Sequence, residues 1–418
     1  MNKKIIEDFS SSVHRQLYEH ILPFWTGPAL DHKQGGWLGW MDNDSRIDRT
    51  QPKGLIVNSR ILWTFSAVFR ASPKKLYSEM AKRAYEIMTS RFWDSEHGGA
   101  FWQLTDNWQI LNDSKKIYGQ AFNIYAMAEY HRAFGDENAL ALATKLFELI
   151  ERRAHDPAHG GYFEVCNRDW SPAENASLSE KDMAEKKSMN NHLHVLEACT
   201  NLYGVWKSAR VEERLRELID LFAKKILNPG TNHLHHFFDE QWRVRSDSYT
   251  FGHDIEAAWL LYEAAEVLED AALLEQTRAI ALKIAGAVLN EAVDRDGGLF
   301  YEGRAGQIID RGKEWWPQAE AVVGFLNAFQ IGGDEKYFDA ARQVWNYIIE
   351  HIVDHVHGDW FWRINEDGRP DSKQPKVSEW KGPYHSSRAC LETLRRLDKI
   401  RHASTQENYR VLIPEIET

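Results

Sequence analysis

The sequence predicts an all-α fold, a single (α/α)6 barrel with short β-hairpins between helix pairs. Three observations carry that expectation. A Gly-rich, aromatic-flanked motif recurs six times along the 418 residues, each interval has room for two helices, and the first and last helices read as halves of a shared pair. The copies are KQGGWLGW (33–40), EHGGAFWQL (96–104), AHGGYFEV (158–165), NHLHHFFDEQW (232–242), DGGLFYEG (296–303) and HGDWFWRI (357–364). With the glycine pair or its equivalent as marker they fall near 35, 98, 160, 235, 297 and 358, so the intervals are 63, 62, 75, 62 and 61 residues. The fourth copy has lost its glycines and is assigned by its aromatic and His content.

In chain order, an opening helix is expected over 5–22. Each motif then reads as a hairpin, a turn that Gly permits followed by alternating aromatic and small residues. After the first hairpin, Leu55, Ile56, Ile61, Leu62, Phe65, Val68 and Phe69 recur at helical spacing. A break at Ala71-Ser72-Pro73 separates that helix from one over 75–91. Helices over 118–134 and 138–153 follow, divided at Gly135-Asp136, and Gly333-Asp334 divides a later pair in the same way. The remaining helices are expected at 185–206, 211–227, 254–269, 271–291, 315–330, 335–352 and 384–398. A linear solenoid would carry polar capping repeats at its ends, so the shared pair argues for closure. Residues 1–418 are expected to form one domain with a peripheral tail from about 400, and the polar insertion at 166–186 reads as a loop over the barrel mouth.

Composition narrows the function. There are 51 Lys+Arg against 62 Asp+Glu, a net charge of −11, which argues against nucleic acid and anionic membranes as partners. Three scattered cysteines (Cys166, Cys199, Cys390) make neither a disulfide framework nor a paired Cys-x-x-Cys zinc site. The N-terminus has no apolar leader and no apolar run approaches the ~20 residues of a membrane span, so a cytoplasmic location is expected. The 17 tryptophans are an excess that asks for a use.

A ligand in a barrel of equivalent units should meet the same part of each unit, and the first helix after each hairpin is polar near its start. The residues there are Arg60; Tyr118 and Gln120; Asn190 and His194; His253 and Glu256; Trp316 and Glu320; His385 and Arg388. Several are spaced i,i+3 or i,i+4 and so share a helix face. Each also has a plain structural reading: Glu320 and Arg388 could pair to hold neighbouring helices, and Trp316 could be core. His253 and His385 stand out because they fall at matching points of distant repeats. Two groups that titrate near neutrality, facing one carbon from opposite sides, suit proton removal alpha to a carbonyl and its return to either face. Such chemistry is epimerisation or aldose–ketose isomerisation, with an arginine or third histidine stabilising the enediolate. Tryptophans offer flat faces for sugar C–H groups. Trp316 and Trp380 lie in motifs beside the histidines, whereas Trp37, Trp40, Trp102, Trp242, Trp360 and Trp362 belong to the hairpins and read mainly as structural. A metal is not expected. His192 and His194 are two apart on a helix and point to different faces, and His233, His235 and His236 have no carboxylate at ligand spacing.

GLIVNSRILW (54–63), LSEKD (178–182), KSMNNHLHVLEA (187–198), GHDIEAAWLL (252–261), WWPQAEAVVGF (315–325) and WKGPYHSSR (380–388) resemble the N-acylglucosamine 2-epimerase superfamily, most of all its cellobiose branch. The resemblance spans nearly the whole chain. It implies the (α/α)6 barrel, no metal or redox cofactor, and conversion of the reducing-end glucose of β-1,4-linked disaccharides to mannose. By motif, His253 and His385 would be the acid/base pair at C2. Arg60, Asn190 and His194 would bind the C1 carbonyl and C2 oxygens, and Glu256 would orient or tune His253. Trp316 and Trp380 would stack on the sugar, Tyr118 would line the pocket, and Asp182 would lie near the sugar. The partner is then a small-molecule disaccharide with its reducing end in the barrel, and the protein a monomer or weak dimer. Three other readings stay open: the same barrel acting on free monosaccharides as a mannose 2-epimerase or aldose–ketose isomerase, a glycosidase recruiting Glu256, Glu320 or Asp254, and a non-catalytic sugar-binding module.

Overall fold

The computed structural model describes residues 3–174 and 183–405. Among these, helix α1 (Lys3–Arg15) runs through a π turn (Gln16–Ile21) into the short α2 (Leu22–Trp25). Then come α3 (Leu55–Ala71), α4 (Lys75–Ile87), α5 (Ile117–Phe134), α6 (Glu137–Arg153), α7 (Met189–Val205) and α8 (Ala209–Leu221). The last five are α9 (Phe251–Leu268), α10 (Ala271–Glu291), α11 (Trp315–Gly332), α12 (Glu335–Tyr347) and α13 (Tyr384–Thr405). Helices α3, α5, α7, α9, α11 and α13 each pack on the next, and α13 returns to α3. This inner ring is sheathed by α4, α6, α8, α10 and α12, each against the inner helix before it, and α1 completes the sheath against α13. The pairing of first and last helices expected from sequence therefore closes the barrel.

The two rings differ as their sequences do. Inner helix α3 is buried without interruption from Leu55 to Val68 and α11 from Trp315 to Phe329, as a helix surrounded by others must be. Outer helix α4 buries only Tyr77, Met80, Ala81, Ala84 and Ile87, a single stripe. The Gly-Asp breaks are helix punctuation. Gly135 and Gly333 close α5 and α11 with left-handed backbone, and Asp136 and Asp334 accept backbone N–H bonds at the starts of α6 and α12.

All six motif copies form a turn closed by a bridge: Leu30 with Trp37, Trp93 with Ala100, His155 with Tyr162, Leu227 with Leu234, Val293 with Leu299 and Val353 with Trp360. The degenerate fourth copy keeps the shape because Asn232 takes the left-handed conformation (φ 61°) that glycine takes elsewhere. A short strand before each inner helix pairs with the next unit's hairpin, as Lys53–Gly54 does with Gln103–Leu104, Lys115–Lys116 with Val165–Cys166 and Lys187–Ser188 with Phe237–Phe238. Ser248–Thr250 pairs with Glu302–Arg304 and Lys313–Glu314 with Arg363–Ile364. A Met41–Val377 bridge joins the last unit to the first, so the strands make a collar that closes like the helices. The third-unit helix, expected from 185, starts at Met189 because Lys187–Ser188 is drawn into this collar and the Ser188 side chain caps the helix.

Two repeated devices fix the collar to the barrel. Buried lysines bond the aspartate that opens the hairpin turn: Lys53 to Asp31 (2.9 Å), Lys115 to Asp94 (3.0 Å), Lys187 to Asp156 (2.7 Å), Lys313 to Asp294 (2.8 Å) and Lys376 to Asp354. The fourth residue of inner helices grips the hairpin backbone. Gln120 bonds both N and O of Ala100, Gln318 both N and O of Leu299, His192 accepts from Tyr162 N, and Asp254 accepts from Leu234 N. A Cβ on Gly161 would sit 2.5 Å from His192 Nε2, which is why that turn needs glycine. The fourth unit has Asn228 where the others have aspartate and Tyr249 where they have lysine, and solves the problem differently. His233 Nδ1 bonds Asp254 (2.7 Å), its Nε2 bonds Glu291 (3.1 Å), and Tyr249 stacks on its ring at 3.9 Å. The 233–236 cluster has no carboxylate at ligand spacing in the sequence, yet the fold brings two to His233. Those partners lie 21 and 58 residues away, beyond any local spacing rule.

Candidate active site

The polar residues singled out in the inner helices divide by helix position. Gln120, His192 and Asp254 point to the hairpins and are structural, as above. Two positions back (Tyr118, Asn190) or two further on (His194, Glu256, Glu320) the side chains turn to the barrel axis, and His253, one position before Asp254, joins them. Arg60, Tyr118, His194, Glu256, Glu320, His385 and Arg388 are all at least nine-tenths buried there, with Asn190 and His253 partly exposed beside them. The phase argument that paired His253 with His385 meets its geometry here: the Trp316 ring lies 4.6 Å from the His253 ring and 5.7 Å from the His385 ring. The indole is held at its edge by Nε1 donating to Glu314 (3.2 Å).

Three histidines share one arrangement. His385 Nδ1 bonds Glu320 (2.7 Å), His194 Nδ1 bonds Glu197 (2.8 Å), and His253 Nδ1 pairs with the Thr250 hydroxyl (2.5 Å). In each, Nε2 has no hydrogen-bond partner among the described residues. An ionised carboxylate only accepts, so Nδ1 of His194 and His385 carries the proton and Nε2 is the basic nitrogen. Burial lowers all three pKa values. It takes His385 down to about 3 against the pull of Glu320, with Arg60 and Arg388 adding to the shift. His253 is held well below its ordinary value by burial and by His236, His194, His385 and Arg60. His194 is lowered too, against Glu197. The resting imidazoles are therefore neutral and able to accept a proton. Behind Thr250 stands His236, whose Nε2 accepts from the Thr250 N–H (3.1 Å) and whose own pKa burial pushes down to about 4.

Arg60 donates to the Tyr118 hydroxyl (2.9 Å) and the Trp380 carbonyl (3.2 Å), and its guanidinium covers the Phe122 ring at 4.3 Å. Tyr118 packs edge-on to His194 at 5.0 Å. Asn190, His236, Thr250 and His253 line a cavity of about 110 Å3 with Glu164 and Tyr301. Trp380 walls a second cleft, of about 190 Å3, together with the hairpin tryptophans Trp40 and Trp362. Trp37, in contrast, is buried and donates to the Trp25 carbonyl. Asp182 and the rest of LSEKD lie outside the described residues.

Beneath the histidines, Arg388 bonds Glu197, Glu256, Glu320 (2.7 Å) and the Tyr384 hydroxyl (2.5 Å), and Tyr384 bonds Glu197. The sequence reading has Glu256 orienting or tuning His253. Its bonded partner is Arg388 instead, and Thr250 orients His253. One turn along α9, the Glu256 carboxyl points across the axis, while His253 sits at the helix start where the preceding residue can reach its ring. Sequence reasoning missed Glu197, Thr250, His236 and Tyr384. The i,i+3 spacing of His194 and Glu197 was the available signal for one of them. Glu256, Glu320 and His385 present donor atoms within 4.8 Å of one another, a set that could hold a cation, but Arg388 already places its guanidinium between both carboxylates.

The family model for N-acylglucosamine 2-epimerase matches residues 36–389, most of the chain, from the first hairpin to the start of α13. The chain belongs to the N-acylglucosamine 2-epimerase family. A cellobiose 2-epimerase of Bacteroides fragilis is 42% identical over 93% of this chain and 99% of its own, and one of Dictyoglomus turgidum is 36% identical over 95% and 100%. The solved cellobiose 2-epimerase of Spirochaeta thermophila superimposes with a TM-score of 0.88 at 40% identity, over 95% of this chain and 98% of that one. The protein is thus a carbohydrate epimerase of (α/α)6-barrel fold, and no helix among the described residues is long and apolar enough to cross a membrane.

Proposed function

We propose that this epimerase converts the reducing-end glucose of cellobiose-type β-1,4 disaccharides to mannose, with His253 and His385 exchanging the proton at C2. The carrying observation is the pair of neutral imidazoles flanking Trp316, each tied at Nδ1 and open at Nε2. Full-length similarity to cellobiose 2-epimerases supports the substrate class. The ring-opened sugar offers C2 to one Nε2, which removes its proton. The cis-enediolate rotates about C2–C3, the other imidazole takes a proton from solvent at Nε2 and returns it to the opposite face of C2, and the first imidazole then releases its proton to solvent. Arg60 and His194 suit the developing C1 oxyanion, one as a fixed cation and the other as a hydrogen-bonding group. Asn190 and Tyr118 would bind neighbouring oxygens, Trp316 and Trp380 would stack on the sugar, and Asp182 would approach it from the insertion. The described chain then works as one domain. Proton transfer between imidazoles and carbon calls on no metal or redox cofactor.

The test is NMR of cellobiose with enzyme in D2O. Deuterium at C2 together with a mannose-ended product is expected, and both should vanish in His253→Ala and in His385→Ala. Exchange retained by both variants overturns the assignment. Mannose or glucose turned over in place of cellobiose would redirect it to monosaccharides, and glucose released from cellobiose would mean hydrolysis.

A further inference from the structure

Three carboxylates surround Arg388, and they are not equally provided for. Glu320 Oε1 accepts from His385 and Arg388, and its Oε2 accepts from Trp259 Nε1 (3.1 Å). Glu197 Oε1 accepts from Arg388 and the Tyr384 hydroxyl, and its Oε2 from His194. Both are coordinated on every side, as a buried anion must be. Glu256 accepts one bond at Oε1, from an Arg388 nitrogen it shares with Glu320, and its buried Oε2 has no partner among the described residues. All three side chains are no more than 2% exposed. With every carboxyl ionised, one guanidinium would leave two uncompensated negative charges among buried side chains.

We propose that Glu256 is a neutral carboxylic acid in the resting enzyme, a positioning residue that holds Arg388 while leaving the cluster with a single surplus negative charge. Burial raises its pKa, and the neighbouring carboxylates of Glu320 and Glu197 raise it further against Arg388. The groups facing it are Arg388 and Tyr384 from α13, Glu320 from α11 and Glu197 from α7, with His253 one turn back on its own helix. If our reading of the reaction holds, the charge count matters for His385. One surplus negative charge favours a proton arriving from C2, whereas a second would raise the basicity of His385 further and slow the release of that proton from the imidazolium. Ionisation of Glu256 at high pH should then close the alkaline limb of activity.

Infrared difference spectroscopy of wild type against Glu256→Gln reads the protonation state directly, without turnover. The expected result is one protonated-carboxyl C=O band in wild type at neutral pH that is lost in E256Q and lost from wild type as pH rises. No such difference overturns the proposal. Should E256Q not fold, glutamate labelled with 13C at its side-chain carboxyl can be incorporated into Glu263→Gln, which removes the half-buried glutamate that is also held high, at about 7. A surviving protonated-glutamate band supports the assignment and its absence overturns it. In the pH–rate profile, the alkaline limb of E256Q should move to higher pH, and an unmoved limb refutes the link to His385. Because the infrared arm needs no activity, failure of the epimerase reading and failure of this proposal give different results.

Discussion

At the scale of single residues, the two proposed acid/base histidines are backed unequally, His385 by an anion and His253 by a neutral hydroxyl. A carboxylate stabilises an imidazolium more than a hydroxyl does, so the two variants that remove these supports should differ. Thr250→Val forfeits one neutral hydrogen bond, worth about 0.5–1.5 kcal/mol, and should lower kcat by roughly three- to tenfold with little change in KM. Glu320→Gln removes a charged partner from both His385 and Arg388 and should cost about 10²-fold or more in kcat. Steady-state kinetics on cellobiose, with melting curves to confirm folding, check both. Here the sequence was partly legible. The repeat phase picked out His253, His385, Arg60 and His194, because the chemistry-bearing side chains occupy equivalent turns of equivalent helices. It could not assign Glu256 to Arg388, because that choice depends on which side chain reaches across the barrel axis, and nothing in local spacing encodes it.

At the scale of elements, the collar is held by buried Lys–Asp pairs whose loss should be severe. Lys115 is fully buried against Asp94, and Lys115→Met would leave that aspartate with only Arg168 as counterion. Breaking a buried pair from one side costs about 3–5 kcal/mol, readable as a lower denaturation midpoint at constant m-value. The fourth unit should respond to pH instead. Burial alone would lower the His233 pKa, but Asp254 and Glu291 outweigh it and the net shift is upward. A raised folded-state pKa means that the stability this group supplies is complete below its unfolded value and is lost as pH rises through the folded value. Wild-type stability should therefore fall across that window relative to His233→Gln, as urea titrations between pH 5 and 9 would reveal. The six hairpins were visible in the sequence because glycine and aromatic residues mark them. The lysine pins were not noticed, since a charged residue before a helix looks like surface until its partner is known.

At the scale of the whole molecule, closure is made three times, by α13 on α3, by α1 against α13 and by the strand collar from Met41 to Val377. The repeat count and the unmatched terminal helices made that closure readable, because a ring has no capping units. Removing residues 1–25 should expose the apolar face of α13 and the far side of α12, and the truncated chain is expected to aggregate or lose its cooperative melting transition. Activity in excess EDTA should equal that without it, and a loss restored by a divalent cation would point to the Glu256–Glu320–His385 donor set. The collar has one more consequence. Five collar strands lead straight into inner helices and the Val377 bridge stands a short loop before α13, so all six inner helices begin at the same end of the barrel. Each start carries roughly half a positive charge from its aligned peptide dipoles, and six of them converge on the ring where the histidines sit. A chain of net charge −11 thereby turns the positive ends of six helix dipoles toward its ring of histidines, the sign an enediolate needs.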